Sequence, residues 1–209
     1  MRKELSLINK CKSWKECNQH IAKLTTGRQP KLGGSVFECV VKLYLQTEPK
    51  YQTKFKQVWL LDEVPYKIKK YLNLPRADEG IDLIVKTNED EYWSVQAKYR
   101  SDINETLIFG GKGGLSTFQS LSFVTCKNIK HGLLCTTINK PPVKKHLLKN
   151  IFLIRIEIYS YQIYISQNSE YYYQDYYCDV SGCEYKCKDK STLEVHKKYF
   201  VHNNDEVYH

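Results

Sequence analysis

Three polar residues in the middle of the chain have the types and spacing that phosphodiester hydrolysis requires. Asp82 closes the run Gly80-Ile81-Asp82, and Gln96 and Lys98 stand two residues apart in Trp93-Ser94-Val95-Gln96-Ala97-Lys98. Cutting a phosphodiester needs a divalent cation at the scissile phosphate. A hard ion such as Mg²⁺ or Mn²⁺ takes oxygen ligands, and one or two carboxylates with phosphate oxygens and water suffice. Asp82 can supply one carboxylate, and Gln96 an amide oxygen or a position for water. Lys98 can stabilise charge developing on the phosphate or help to activate the attacking water. On spacing alone the same residues also read as a solvated strand lysine and a strand-end aspartate.

A hairpin is the element that must position them. Residues 81–85 and 92–99 are apolar runs with strand character, and the intervening Lys-Thr-Asn-Glu-Asp-Glu is turn-prone. Gln96 and Lys98 then share a face, because side chains alternate along a strand. A turn at Glu89 and Asp90 sets Asp82 opposite the stretch from Gln96 to Lys98. Trp93, Val95, Ala97 and Tyr99 pack on the other face.

The surrounding segments complete an α/β pattern. Residues 13–24 form a helix with a Ser13/Glu16 capping box and Gly27 as its stop. A second helix carries Phe37, Val40, Val41, Tyr44 and Leu45 on one face, with Ser35 as N-cap and Pro49 ending the pattern. Residues 58–61 are a strand or packed loop, and 115–124 a helix. Residues 131–137 read as a buried strand, 141–150 as a helix begun by proline, and 151–159 as the strongest strand signal in the chain. Residues 166–177 are polar and tyrosine-rich, a linker.

A family resemblance gathers these pieces. Gly80-Ile81-Asp82 with Gln96-Ala97-Lys98 resembles the catalytic segment of Mrr-like nucleases, a branch of the PD-(D/E)XK superfamily in which glutamine commonly takes the place of the second acid. Ile81 stands where the superfamily name has proline. Upstream, Gly34-Ser35-Val36-Phe37-Glu38 is similar to the first core helix of such enzymes. The resemblance implies that Glu38 joins Asp82 and Gln96 around Mg²⁺ or Mn²⁺, with Lys98 as the catalytic lysine. Residues 44–47, 58–60, 92–99 and 133–137 look like the nuclease domain that opens type ISP restriction enzymes and related helicase fusions, and the likeness spans roughly residues 31–157. The implied fold is a restriction-endonuclease-like α/β core with a mixed sheet flanked by helices, and the implied activity is metal-dependent hydrolysis of DNA. The helicase and methyltransferase modules of those larger proteins find no counterpart, so translocation and self-methylation are not expected.

A second constellation lies near the C-terminus. Cys178, Cys183, His196 and His202 follow C-x4-C-x12-H-x5-H, the spacing of a ββα C₂H₂ zinc finger, whose two thiolates and two imidazoles suit Zn²⁺. Leu193 fits the finger core, and Cys187 takes the place usually held by phenylalanine or competes as a ligand. The base-reading positions fall on Asp189, Thr192 and Val195, which do not encode strong guanine or adenine readout. Weak nucleic-acid contact through Lys186, Lys188, Lys190, Lys197 and Lys198, or a protein contact, is the expected role.

The bulk properties agree with a polyanionic partner. The chain has 209 residues, 32 Lys and Arg against 23 Asp and Glu, and a formal net charge of +9, a balance that favours nucleic acid. Further basic candidates for the DNA backbone are residues 67–70 (Lys-Ile-Lys-Lys), Lys144, Lys145, and Lys112 in the glycine-rich loop 109–114. That loop lacks the G-x-x-x-x-G-K-[ST] pattern of a nucleotide-binding loop. No secretory signal or run of ~18 apolar residues is present, so an intracellular, soluble protein is expected. The eight cysteines then sit in a reducing compartment, with Cys11, Cys17, Cys39 and Cys126 as scattered thiols and Cys135 as a buried one. The Lys-, Tyr-, Asn- and Ile-rich composition suggests an AT-rich, viral source. The expected organisation is a helical extension over 1–30, a nuclease domain over 31–160, a linker over 161–177 and a finger over 178–202. A homodimer or a separate helicase-type partner fits a double-strand cutter. The alternative readings are a non-catalytic DNA-binding protein that retains the fold, or a zinc-finger adaptor.

Overall fold

In the computed structural model, residues 2–75, 80–110, 114–139 and 150–156 are described, with the backbone of 176–177 and 186–187. The chain divides into two compact units, Met1–Ile163 and Tyr164–His209.

The first unit is built on a five-stranded mixed sheet in the order β1-β2-β3-β4-β5. The strands are β1 (Phe55–Leu60), β2 (Leu83–Thr87), β3 (Tyr92–Lys98), β4 (Ile129–Thr136) and β5 (Ile151–Arg155). β1, β2 and β3 are antiparallel neighbours, whereas β3, β4 and β5 run parallel. Leu83, Ile84, Val85 and Val95 are fully buried, as continuous apolar runs must be where helices cover both faces. The expected mixed sheet flanked by helices is therefore present.

One face is covered by the N-terminal helices. α2 (Trp14–Thr26) starts as expected: Ser13 Oγ accepts the Glu16 N–H at 3.2 Å, and Gly27 is the C-cap. The Glu16 carboxylate accepts from Lys12 N–H at 2.8 Å, so the return arm of the box reaches one residue further upstream than the usual pattern. α1 (Lys3–Ile8) precedes α2. α3 begins well before the expected cap: it spans Pro30–Thr47, with proline in its first turn and Ser35 inside it. Gly33 and Gly34 thus lie within the helix. A Cβ on Gly33 would stand 2.5 Å from Thr25 Cγ2, so glycine here permits the close approach of α2 and α3. The short α4 (Pro49–Gln52) follows. Phe37 on α3 meets Tyr99 edge-on at 5.4 Å, which fixes α3 against the Trp93–Tyr99 side of β3.

The other face receives α5 (Tyr66–Leu72), α6 (Leu115–Ser120) and a π-helical turn, Leu121–Thr125. Leu72, Ile81, Ile84, Phe118 and Leu121 form one buried cluster there. Ser94 Oγ donates to Ser122 Oγ at 2.8 Å, joining β3 to the π-helical turn. No helix among the described residues is long and apolar enough to cross a membrane.

In the second unit, β6 (Tyr176–Tyr177) pairs antiparallel with β7 (Lys186–Cys187), with Tyr176 facing Cys187. The expected helix over 141–150 apart from Asn150, Lys112, Lys144, Lys145, the linker up to residue 175, and the finger ligands Cys178, Cys183, His196 and His202 lie outside the described residues.

Candidate active site

Asp82 stands where β2 separates from β3. Its N–H donates to the Val95 carbonyl and its carbonyl accepts from Leu61 N–H, both at 2.9 Å. The regular ladder ends at Leu83–Val95. Beyond it, Asp82 Oδ2 accepts the Ala97 N–H at 2.6 Å, so a carboxylate replaces a ladder carbonyl between the two strands. Leu83 faces Val95, so the register carries Asp82 to Gln96, within the expected stretch from Gln96 to Lys98. The carboxylate is anchored on the residue between those two.

Gly80 explains the first residue of the motif. Its φ is +120°, a backbone state that is essentially open to glycine alone. Its carbonyl accepts from Gln96 Nε2 at 3.1 Å. Gln96 is 2% exposed, and its Oε1 is buried with no hydrogen-bond partner. A buried amide oxygen left unpaired costs about 1–3 kcal/mol, which an incoming ligand can recover. Lys98 ends β3 half-buried, and its carbonyl accepts from Thr136 Oγ1 at 2.7 Å. Strand alternation puts Lys98 on the side of Ser94 and Gln96.

Glu38 comes from α3, half-buried beside the buried Cys39. Glu38 and Asp82 line the same cleft, of about 290 Å³, which Arg2, Glu4, Asp62 and Lys69 also line. Gln96 and Lys98 are not among its lining residues. The two acids therefore border one cleft, whereas Gln96 and Lys98, on the Ser94 face of β3, do not line it. Two buried thiols, Cys39 in the cleft and Cys135 on β4, feel these carboxylates in addition to their burial. Burial, then the charge of Glu4, pushes the Cys39 thiol up to about 11 against the opposing pull of Arg2; Glu38 and Glu63 add to the rise. Burial, then the charge of Asp82, raises the Cys135 thiol.

The donor set suits a hard cation. No group of three or more His, Cys, Asp or Glu among the described residues is arranged to hold a metal ion. Two carboxylates with water are nonetheless what Mg²⁺ accepts when phosphate completes its shell.

Sequence reasoning missed the rim of the cleft. Arg2 Nη2 donates to Asp62 Oδ2 at 2.5 Å, and Arg2 Nε lies 3.3 Å from Glu63 Oε1. Glu63 Oε2 also takes Lys42 Nζ at 2.6 Å and Leu60 N–H at 3.0 Å. Arg2 and Asp62 are 60 positions apart, and such pairs leave no local pattern. The one available hint was a basic residue at the start of the chain.

A family model described as restriction endonuclease, Mrr_cat_2, matches residues 46–179. No curated protein sequence matches the chain. Among solved structures, the chain is similar to the ATP-dependent Type ISP restriction-modification enzyme LlaBIII bound to DNA, with 20% identity and a TM-score of 0.46. That match covers 75% of this chain and 8% of the enzyme, so the chain spans a small part of that protein's length.

Proposed function

The chain belongs to the Mrr_cat_2 restriction endonuclease family, and on that premise we propose that it is a divalent-metal-dependent endodeoxyribonuclease cutting at the Glu38–Asp82 cleft. The observation that carries this reading is the shared cleft: an acid from α3 and an acid from the start of β2 line one cavity. In this reading Glu38, Asp82 and the Gln96 amide oxygen hold Mg²⁺ or Mn²⁺. The bound cation supplies charge neutralisation at the phosphate and a lowered pKa for its water. The protein's own residues do the rest. Ala97 N–H fixes the Asp82 carboxylate in one orientation. Gly80 and Gln96 lock each other through a single hydrogen bond. Lys98, an ammonium on a flexible stem, faces the negative charge that develops on the phosphate.

The zinc finger belongs to the same proposal. Cys178, Cys183, His196 and His202 would bind one Zn²⁺, and metal binding would drive folding of so short a segment. What supports this is the antiparallel pair β6–β7, whose strands bracket Cys178 and Cys183 in the sequence, as the ββ arm of a finger does. The finger's role is auxiliary contact with nucleic acid or protein. DNA is the proposed substrate, and a double-strand break would call for two sites, met by a homodimer or a helicase-type partner.

The test is plasmid DNA with purified protein and Mg²⁺. Wild type should cut, while Asp82→Ala and Lys98→Ala should stay folded and lose cutting. Wild-type cleavage by both variants would remove the site.

A further inference from the structure

The cleft that holds Glu38 and Asp82 has a charge problem. Four carboxylates line it, from Glu4, Glu38, Asp62 and Asp82, against two cations, Arg2 and Lys69. A divalent ion can balance that excess, but it leaves nothing to attract the flanking phosphates of a DNA strand. Backbone contacts of that kind supply most of the affinity of nucleic-acid binding and fix its register.

Both cations are held at the rim by one residue. Arg2 Nη2 donates to the Asp62 carboxylate at 2.5 Å, and Lys69 Nζ donates to the Asp62 carbonyl at 3.3 Å. The Arg2 side chain is 36% exposed and that of Asp62 66% exposed. A pair this wet is weak and exchangeable, so the guanidinium can leave a carboxylate for a phosphate at little cost. Its fork suits phosphate as well as it suits carboxylate. Lys69 is on α5, flanked in sequence by the exposed Lys67 and Lys70.

We propose that Arg2 and Lys69, held at the rim by Asp62, seat the phosphate backbone of a DNA strand next to the Glu38–Asp82 pair. This rests on reading the cleft as the cutting site. It assigns a substrate-positioning role to the first helix and to α5, neither of which carries the nuclease motif. Arg2 rests on Asp62 and, through Nε, on Glu63 in the free protein and moves to phosphate when DNA enters, whereas Lys69 keeps its place on the main chain.

The experiment measures duplex binding by fluorescence anisotropy over a salt series, with Ca²⁺ replacing Mg²⁺, and in parallel the steady-state cleavage kinetics with Mg²⁺. Arg2→Gln and Lys69→Gln should each weaken binding by about 3–10-fold and flatten the log–log salt slope by about one. They should raise KM while leaving kcat within about twofold. Arg2→Lys should recover most of the affinity. Asp62→Asn, which removes the closer of the two carboxylates that compete for Arg2, should bind DNA at least as tightly as wild type. Wild-type affinity and slope in both glutamine variants would overturn the proposal. So would a loss in Asp62→Asn equal to that in Arg2→Gln, because Arg2 would then be a strut for α1. Should Arg2→Gln fail to fold, Lys69→Gln carries the test. A wild type that binds DNA through Arg2 and Lys69 but never cuts would sink the nuclease reading and leave this inference standing.

Discussion

Asp82 Oδ2 accepts the amide proton of Ala97 at 2.6 Å, at the point where the β2–β3 ladder stops. The side chain thereby does two jobs. It satisfies a strand N–H that has lost its ladder partner, and it holds a carboxylate between β2 and β3, the strand that carries Gln96 and Lys98.

These two jobs can be separated. Asp82→Asn keeps an oxygen that can accept from Ala97 N–H, so stability should stay within about 1 kcal/mol of wild type while cutting falls by more than about 100-fold. Asp82→Ala loses both, with a stability cost of about 1–2 kcal/mol. Urea denaturation with plasmid cleavage reads both. Equal stability in the two variants would mean that the Ala97 bond contributes nothing.

Gly80 should tolerate no side chain, although there is room for one. A Cβ there would meet Gln96 Nε2 at 3.5 Å, an ordinary contact, so the obstacle is the φ of +120°. Gly80→Ala should cost about 1–3 kcal/mol in urea denaturation and reduce cutting by displacing Gln96. A neutral effect would show that the motif glycine is dispensable.

The paired glycines of α3 should respond in opposite directions. Gly34→Ala meets nothing within 4 Å and should stabilise by about 1 kcal/mol through helix propensity. Gly33→Ala drives a methyl into Thr25, whose Cγ2 is 2.5 Å and backbone N 3.0 Å from the Cβ position. It should destabilise by about 1–3 kcal/mol. Thermal melts of the two variants decide, and a shift of the same sign in both would contradict the packing account.

That pair also shows where the sequence could and could not be read. The hairpin, its burial and the placement of Asp82 near Gln96 and Lys98 were legible, because alternation and turn chemistry are local. The α2 cap was legible for the same reason. The start of α3 was not: Gly33 and Gly34 look like a break, and only the closeness of Thr25 shows why a helix carries them. α5 was read as a basic run, since a seven-residue helix is too short to display a periodicity. The rim formed by Arg2 and Asp62 depends on residues brought together by the fold, which no spacing encodes. That Gln96 and Lys98 lie on β3 outside the lining of the Glu38–Asp82 cleft likewise needed the sheet.

Alkaline pH should weaken the fold through its buried thiols. Burial raises Cys39 to about 11 and Cys17 to about 12 from an ordinary 9.0. The folded state therefore holds protons that the unfolded state releases above pH 9. Their contribution is complete below pH 9 and is lost as pH rises through 11 to 12, on the order of 1 kcal/mol per thiol per pH unit. Urea midpoints should fall between pH 8 and pH 10.5, and Cys39→Ala should fall less. An identical drop in that variant would contradict the assignment to Cys39.

Zinc content should be independent of the nuclease cleft. The full chain should carry about one zinc by elemental analysis, lost in Cys183→Ser and retained in Asp82→Ala. A zinc-free wild type purified without chelator would remove the finger.

The most direct measurement is anomalous diffraction from crystals soaked in Mn²⁺. The account predicts one manganese peak within bonding distance of both the Glu38 and Asp82 carboxylates, lost in Asp82→Ala. A peak touching neither residue, or full occupancy in the alanine variant, would contradict it.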